Sequence, residues 1–229
     1  MAPDEELSAA SSNRTQVKIC GLTRPAEALD CLDAGVDAIG LVFYPPSPRF
    51  VSTVQAAEIA AVVSGRAVTV GLFVDETCET IIRTAEECQL QAVQLHGQES
   101  PTLVRRLRRY NLTVIKTLFH TRAPFFKEAA DYDASAFLVE CGRGRMPGGN
   151  AASWEWQTAR DIDRDKPLIL AGGLTPENVS GAIQSGLPDA VDVSSGVESA
   201  PGRKNSAKIK SFIHAVAASD SQRATRRIF

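Results

Sequence analysis

Cys20 ends the apolar run Val17-Lys18-Ile19-Cys20 and stands immediately before Gly21, with Lys18 two residues earlier on the same face of a strand. An ammonium beside a thiol favours the thiolate, the form that can accept a proton. Glu140 ends another apolar run, Ser135 to Glu140 (SAFLVE). A thiol and a carboxyl group brought to one cleft form a base and an acid, able to move a proton between carbon and a heteroatom. A cysteine taken singly is more often a small core hydrophobe. Position at a strand end is what sets Cys20 apart from Cys31, Cys78, Cys88 and Cys141.

Two small-residue loops suggest where an anion would sit. Ala171-Gly172-Gly173-Leu174-Thr175-Pro176 and Val193-Ser194-Ser195-Gly196-Val197 each follow a short apolar run. Glycine and serine let backbone N–H groups approach phosphate closely, although the same residues also serve tight turns. The pair points to Gly172, Gly173, Ser195 and Gly196 as phosphate-binding residues. Arg49 follows Pro45, Pro46 and Pro48 in a stiffened loop, so its planar fork could be held out for a substrate carboxylate. Asp192 is a candidate partner for Lys18. His96 closes the run AVQLH, where it could meet substrate or satisfy a loop carbonyl.

Positioning these groups requires a scaffold that gathers strand ends. Apolar runs at 17–20, 37–44, 67–74, 92–96, 112–118, 135–140, 167–171 and 190–193 alternate with helical patterns. Pro25 to Ala34 stops at Gly35, Thr53 caps a helix running to about Ser64, and Ser100-Pro101 is a cap signal. Further helices are expected at 76–88, 124–130, 154–160, 176–184 and 205–217. Eight such units predict an α/β fold of one kind, a single (β/α)8 TIM barrel over 17–218, with the site at the carboxyl ends of the strands. A doubly wound open sheet would need a G-x-G-x-x-G turn after the first strand, and none occurs there. Residues 1–16 and 219–229 are polar and read as a disordered leader and a flexible tail. The glycine-rich segment 141–153 reads as a functional or mobile loop.

A net charge of -2 and a pI near 6.0 offer no general attraction to nucleic acid or an anionic membrane. Arg105, Arg106, Arg108 and Arg109 read as a solvated helix face. No apolar run approaches the ~20 residues of a membrane span. Five scattered cysteines without a C-x-x-C pair fit reduced thiols in the cytoplasm and no metal site. Either a monomer or a homodimer is compatible with this pattern.

These residues resemble the phosphoribosylanthranilate isomerases. The family's motifs recur in order as Lys18-Ile19-Cys20-Gly21-Leu22-Thr23, Gly40-Leu41-Val42-Phe43 with Ser47-Pro48-Arg49, Val93-Gln94-Leu95-His96-Gly97, Ala171-Gly172-Gly173-Leu174, and Val191-Asp192-Val193-Ser194-Ser195-Gly196-Val197-Glu198. The resemblance implies a tryptophan-pathway Amadori rearrangement of N-(5-phosphoribosyl)anthranilate, with Cys20 as general base, Glu140 as general acid and no metal or organic cofactor. It also implies Lys18, Arg49, His96 and Asp192 around a small phosphoribosyl substrate. One departure is visible: the family's sixth strand usually ends in Leu-Leu-Asp, whereas this chain has Leu138-Val139-Glu140. The alternatives are a catalytically silent phosphosugar-binding barrel and a sister barrel enzyme for another phosphosugar.

Overall fold

The computed structural model describes residues 11–12, 14–142, 154–162, 165–219 and 224–229. Eight parallel strands close into a barrel in chain order: β1 (Gln16–Cys20), β2 (Ala38–Val42), β3 (Val68–Phe73), β4 (Ala92–Leu95), β5 (Thr113–Phe119), β6 (Ala136–Glu140), β7 (Leu168–Leu170) and β8 (Ala190–Val193), which pairs back to β1. Strand alternation divides the core in two. Val17, Ile19, Val191 and Val193 pack outward under the helices, while Ala38, Val70, Ala92, Ile115 and Ile169 fill the barrel. Residues in step with the inner set therefore point into the barrel or its mouth, and these include Lys18, Cys20, Gln94, His96, Glu140 and Asp192.

Helices α1 (Pro25–Ala34), α2 (Thr53–Val63), α3 (Cys78–Glu87) and α4 (Pro101–Leu107) follow the first four strands. The α1 end is as expected, with Gly35 left-handed at φ 88°. Ser52, one residue before the expected Thr53, caps α2 and forms a capping box with Gln55. Ser100 Oγ accepts from Leu103 N at the start of α4, whose Arg105, Arg106, Arg108 and Arg109 segment is solvent-exposed.

Three expected helices differ. After β5 and β6 the described crossover residues form 3-10 segments, Phe126–Asp131 and Trp156–Asp161, each six residues long and short of the length of a stable α-helix. After β7, α5 (Val179–Gly186) begins three residues later than expected. Asn178 is the reason: its Oδ1 accepts from Thr175 N at 2.8 Å and its Nδ2 donates to Gly173 O at 2.9 Å, folding Thr175–Asn178 into a turn. After β8 come a small ribbon, β9 (Glu198–Ala200) with β10 (Arg203–Lys204), and α6 (Ser206–Ala218) capped by Asn205.

The expectation for the termini is corrected in part. Gln16 belongs to β1, and Ser11–Ser12 pairs antiparallel with Thr225–Arg226. Gln16 Oε1 accepts from the backbone N–H of Ile228 at 3.0 Å and of Phe229 at 2.9 Å, so both side chains pack against the inner core. The tail end thus covers the barrel face opposite the strand carboxyl ends. Residues 143–153 of the glycine-rich segment lie outside the described residues. Among those described, no helix is long and apolar enough to cross a membrane.

Candidate active site

Cys20 ends β1 on the inner face, walled by Val42 and Leu72 with Tyr44 and Val74 beside them. Lys18 lies one inward step deeper and is fully buried, and its Nζ donates to Asp192 Oδ1 on the neighbouring β8 at 2.9 Å. Burial opposes the Lys18 charge, but Asp192 and Cys20 outweigh it and raise the ammonium's pKa. The thiol goes the other way from the sequence expectation. Burial pushes Cys20 above its ordinary value and Asp192 adds to the rise, while Lys18 and Lys204 pull it down without prevailing. The resting thiol is therefore protonated, with two cations ready to hold a thiolate once it forms.

Glu140 ends β6, in register with Phe119 of β5. His96 lies just past β4 and turns its Nε2 to Glu140 Oε1 at 3.4 Å. Its Nδ1 meets Gln94 Nε2 at 2.9 Å and Thr117 Oγ1 at 3.0 Å, and Phe119 packs edge-on to the imidazole. His96 thus faces the carboxyl group. Arg122 lays its guanidinium 3.4 Å from the centre of the Phe119 ring, and Glu140 stabilises its charge against the cost of burial.

The two phosphate-loop candidates touch each other. Gly172 and Gly173 take consecutive left-handed conformations, φ 87° and 68°, which only glycine accepts readily. A Cβ on Gly196 would come within 1.9 Å of Leu174 O, so glycine there is what lets the loop after β8 lie against the loop after β7. The first loop is also held from outside: Trp154 Nε1 donates to Ala171 O at 2.9 Å, and Trp156 Nε1 makes a longer bond of 3.4 Å to Gly172 O.

Arg49 is buried and gripped on two sides. Its Nε and Nη2 donate to Glu198 Oε1 and Oε2, both at 2.8 Å. Its chain crosses Gly21 so closely that a Cβ there would meet Arg49 Cδ at 2.5 Å. Lys204 donates to the same Glu198 at 2.7 Å and to Ser194 O at 3.1 Å, linking Arg49 to the loop after β8. Sequence reasoning missed Glu198, Lys204 and Arg122 as parts of the site. For the first two the available signal was the acidic residue closing Ser195-Gly196-Val197-Glu198 with a lysine six residues on; for Arg122 there was none. Among the described residues, no group of three or more His, Cys, Asp or Glu side chains is arranged to hold a metal ion.

Comparison with known proteins places the whole barrel in one family. A family model described as N-(5'phosphoribosyl)anthranilate (PRA) isomerase matches residues 17–215. An N-(5'-phosphoribosyl)anthranilate isomerase of Desulfatibacillum aliphaticivorans is 50% identical over 214 residues, covering 93% of this chain and 98% of its own. The crystal structure of phosphoribosyl anthranilate isomerase from Thermotoga maritima matches with a TM-score of 0.82 at 38% identity, covering 89% of this chain and 99% of its own. A structure of such an isomerase in complex with reduced 1-(o-carboxyphenylamino)-1-deoxyribulose 5-phosphate matches with a TM-score of 0.77 at 38% identity and the same coverage. With the family match running from β1 into α6, the chain belongs to the N-(5'-phosphoribosyl)anthranilate isomerase family, enzymes of tryptophan biosynthesis.

Proposed function

We propose that the barrel mouth performs the family's Amadori rearrangement with Cys20 as general base and Glu140 as general acid. One observation carries this reading: the Lys18–Asp192–Cys20 group and the His96–Glu140 pair stand at the same end of the barrel as the two abutting glycine loops. Phosphate bound by the Gly172-Gly173 and Ser195-Gly196 loops anchors one end of the substrate. Arg49, its fork already fixed by Glu198, offers its remaining N–H groups to the anthranilate carboxylate.

Between these anchors, Glu140 gives its proton to the ribose ring oxygen as the C1–O bond breaks, and the substrate nitrogen supplies the electron pair that forms the iminium. Cys20, as the thiolate that Lys18 and Lys204 favour, then takes the proton from C2, giving an enolamine that becomes the keto product as the C2–OH loses its proton and C1 gains one. The electron sink is the substrate's own iminium, so the residues need only place and move protons. Lys18 and Asp192 bear on both substrate and base: the ammonium stabilises the thiolate, and the carboxylate keeps the ammonium charged. A reducing cytoplasmic setting suits this chemistry, and all five cysteines are free and buried.

The test is loss of freshly generated phosphoribosylanthranilate followed by fluorescence, with wild type beside Cys20→Ala. Expected are turnover in the wild type and at least ~100-fold loss in the variant, with affinity for a reduced product analogue retained. Near-normal turnover in Cys20→Ala would remove the thiol from the mechanism.

A further inference from the structure

Two anchors serve a ligand that carries two anions only when the distance between them is fixed, and the β9–β10 ribbon joins them here. Glu198 opens β9 and grips Arg49, while Ser194 directly precedes the Ser195-Gly196 loop. Lys204, closing β10, reaches both. Its side chain is 1% exposed, and Nζ donates to Glu198 Oε1 at 2.7 Å, to Ser194 O at 3.1 Å and to Ser194 Oγ at 3.3 Å. An ammonium has three N–H bonds, and these acceptors account for all of them. Lys204 therefore has no donor left for a ligand.

A two-stranded ribbon is marginal alone, and this one is tied to its surroundings. Lys208 Nζ of α6 donates to Glu198 O at 2.8 Å, and Asn205 N donates to Val197 O at 2.9 Å. Glu27 of α1 accepts from Lys204 N at 2.9 Å with Oε1 and from Thr23 N at 2.9 Å with Oε2. Thr23 Oγ1 donates to Gly202 O at 2.9 Å. Gly202 is left-handed at φ 74°, and a Cβ there would lie 2.6 Å from the carbonyl oxygen of Pro48, the residue before Arg49. The ribbon is thus held against α1, α6 and the Arg49 loop together.

We infer that Lys204 is a positioning residue for substrate binding: by bridging Glu198 and Ser194 it fixes the span between the Arg49 anchor and the phosphate loop, and so selects ligands that carry a carboxylate and a phosphate at that separation. The inference rests on the proposed reading of Arg49 and the glycine loops as the two anchors. A fixed span lets the second anchor engage as an intramolecular event, at high effective concentration. With the bridge cut, each anchor still takes its own anion after a small shift. The two no longer stand at one distance, and bringing them back to it on binding costs affinity. A ligand with only one of the two anions is indifferent to the bridge.

Lys204→Met removes the bridge and also a positive charge, and lost charge would weaken either anion taken singly. Calorimetric titration of wild type and variant with the reduced product analogue, which carries both anions, with inorganic phosphate and with anthranilate tells the two effects apart. Glu198 keeps its two bonds to Arg49 in this variant, and thermal melts check folding. Affinity for the analogue is expected to fall by ~10- to 100-fold, and for phosphate or anthranilate alone by less than ~3-fold. Lys208→Ala, at a solvent-exposed position, releases Glu198 O without touching the buried pair and keeps the test available if Lys204→Met does not fold. There the analogue should lose ~3-fold with both fragments unchanged. An analogue affinity unaltered in these variants, or a loss on phosphate or anthranilate equal to that on the analogue, would overturn the bridging role while leaving the anchors in place. An unaltered analogue affinity in Arg49→Lys would instead remove Arg49 as an anchor, and this inference with it.

Discussion

Glu198 holds Arg49 in a two-point grip, Nε to Oε1 and Nη2 to Oε2, each at 2.8 Å, and the same carboxylate takes Lys204 Nζ at 2.7 Å. One anion between two buried cations leaves a net positive site beside the mouth, suited to a carboxylate ligand. Arg49→Lys keeps charge but loses the planar fork. KM should rise by roughly 10- to 100-fold, the worth of a charge-assisted hydrogen bond, with kcat changed much less; an unchanged KM would remove Arg49 from the binding site.

Glu198 also gives stability a pH dependence whose sign can be stated. Burial alone would raise its pKa, but Arg49 and Lys204 bring it below the ordinary 4.5. A carboxyl group depressed on folding stabilises fully above its unfolded value, and that contribution disappears as pH falls through the folded value. Urea midpoints should therefore drop on acidification below about pH 4.5, and less steeply in Glu198→Gln. That variant should already be destabilised at neutral pH by about 3–5 kcal/mol, since two buried cations lose their partner.

Gly40 is in register with Cys20, and a Cβ there would lie 2.7 Å from the Cys20 Sγ and 3.1 Å from its Cα. The backbone contact cannot be relieved by a side-chain rotation. Gly40→Ala should displace the base and lower kcat by ~100-fold, with a smaller effect on KM and a stability loss of about 1–3 kcal/mol from overpacking. A fully active Gly40→Ala enzyme would show that the thiol has room to spare.

What could be read from the chain follows the range of the interactions. Cys20, Lys18 and Glu140 were visible because strand alternation is local, and two residues of separation already determine a shared face. The pairing of Lys18 with Asp192 was accessible once eight strands implied closure of β8 onto β1. The Glu198–Arg49 contact was not, since it joins positions 149 residues apart through loop geometry that no periodicity encodes. The same holds for Ile228 and Phe229, whose polar flanking sequence hides an apolar pair that the barrel floor accepts. The protonated state of Cys20 depends on summed burial by Val42, Leu72 and their neighbours, which a sequence does not weigh against one lysine.

Lys116 faces outward from β5, fully buried, and pairs with Glu99 at 2.7 Å while donating to Gly97 O at 2.8 Å. Glu99 in turn accepts from Gly97 N at 2.9 Å and from Asp75 N at 3.1 Å. This pair fastens the loop directly after His96. Lys116→Met leaves a buried carboxylate without its cation and should cost about 3–5 kcal/mol in chemical denaturation. A loss below about 1 kcal/mol would place the pair among those that merely offset their own desolvation.

The two indoles bear on the phosphate loop in a way that can be observed directly. Trp154 and Trp156 are the chain's only tryptophans, and they donate to the successive carbonyls Ala171 O and Gly172 O. Carbonyls held outward leave the intervening peptide turned so that the Gly172-Gly173 backbone keeps its left-handed path; a Cβ on Gly172 would press on Trp154 Nε1 at 3.0 Å. Trp154→Phe removes the shorter bond and leaves Ala171 O unpaired beside the loop, which costs about 1–3 kcal/mol. If that cost falls on the bound geometry, KM for the phosphorylated substrate should rise by roughly 10-fold with kcat nearly constant. Titrating the wild type with inorganic phosphate should also change intrinsic fluorescence, and Trp154→Phe should require more phosphate for the half-maximal response. A fluorescence signal indifferent to phosphate, together with an unaltered KM in the variant, would detach both tryptophans from substrate binding and leave them as packing for the outer face of the loop.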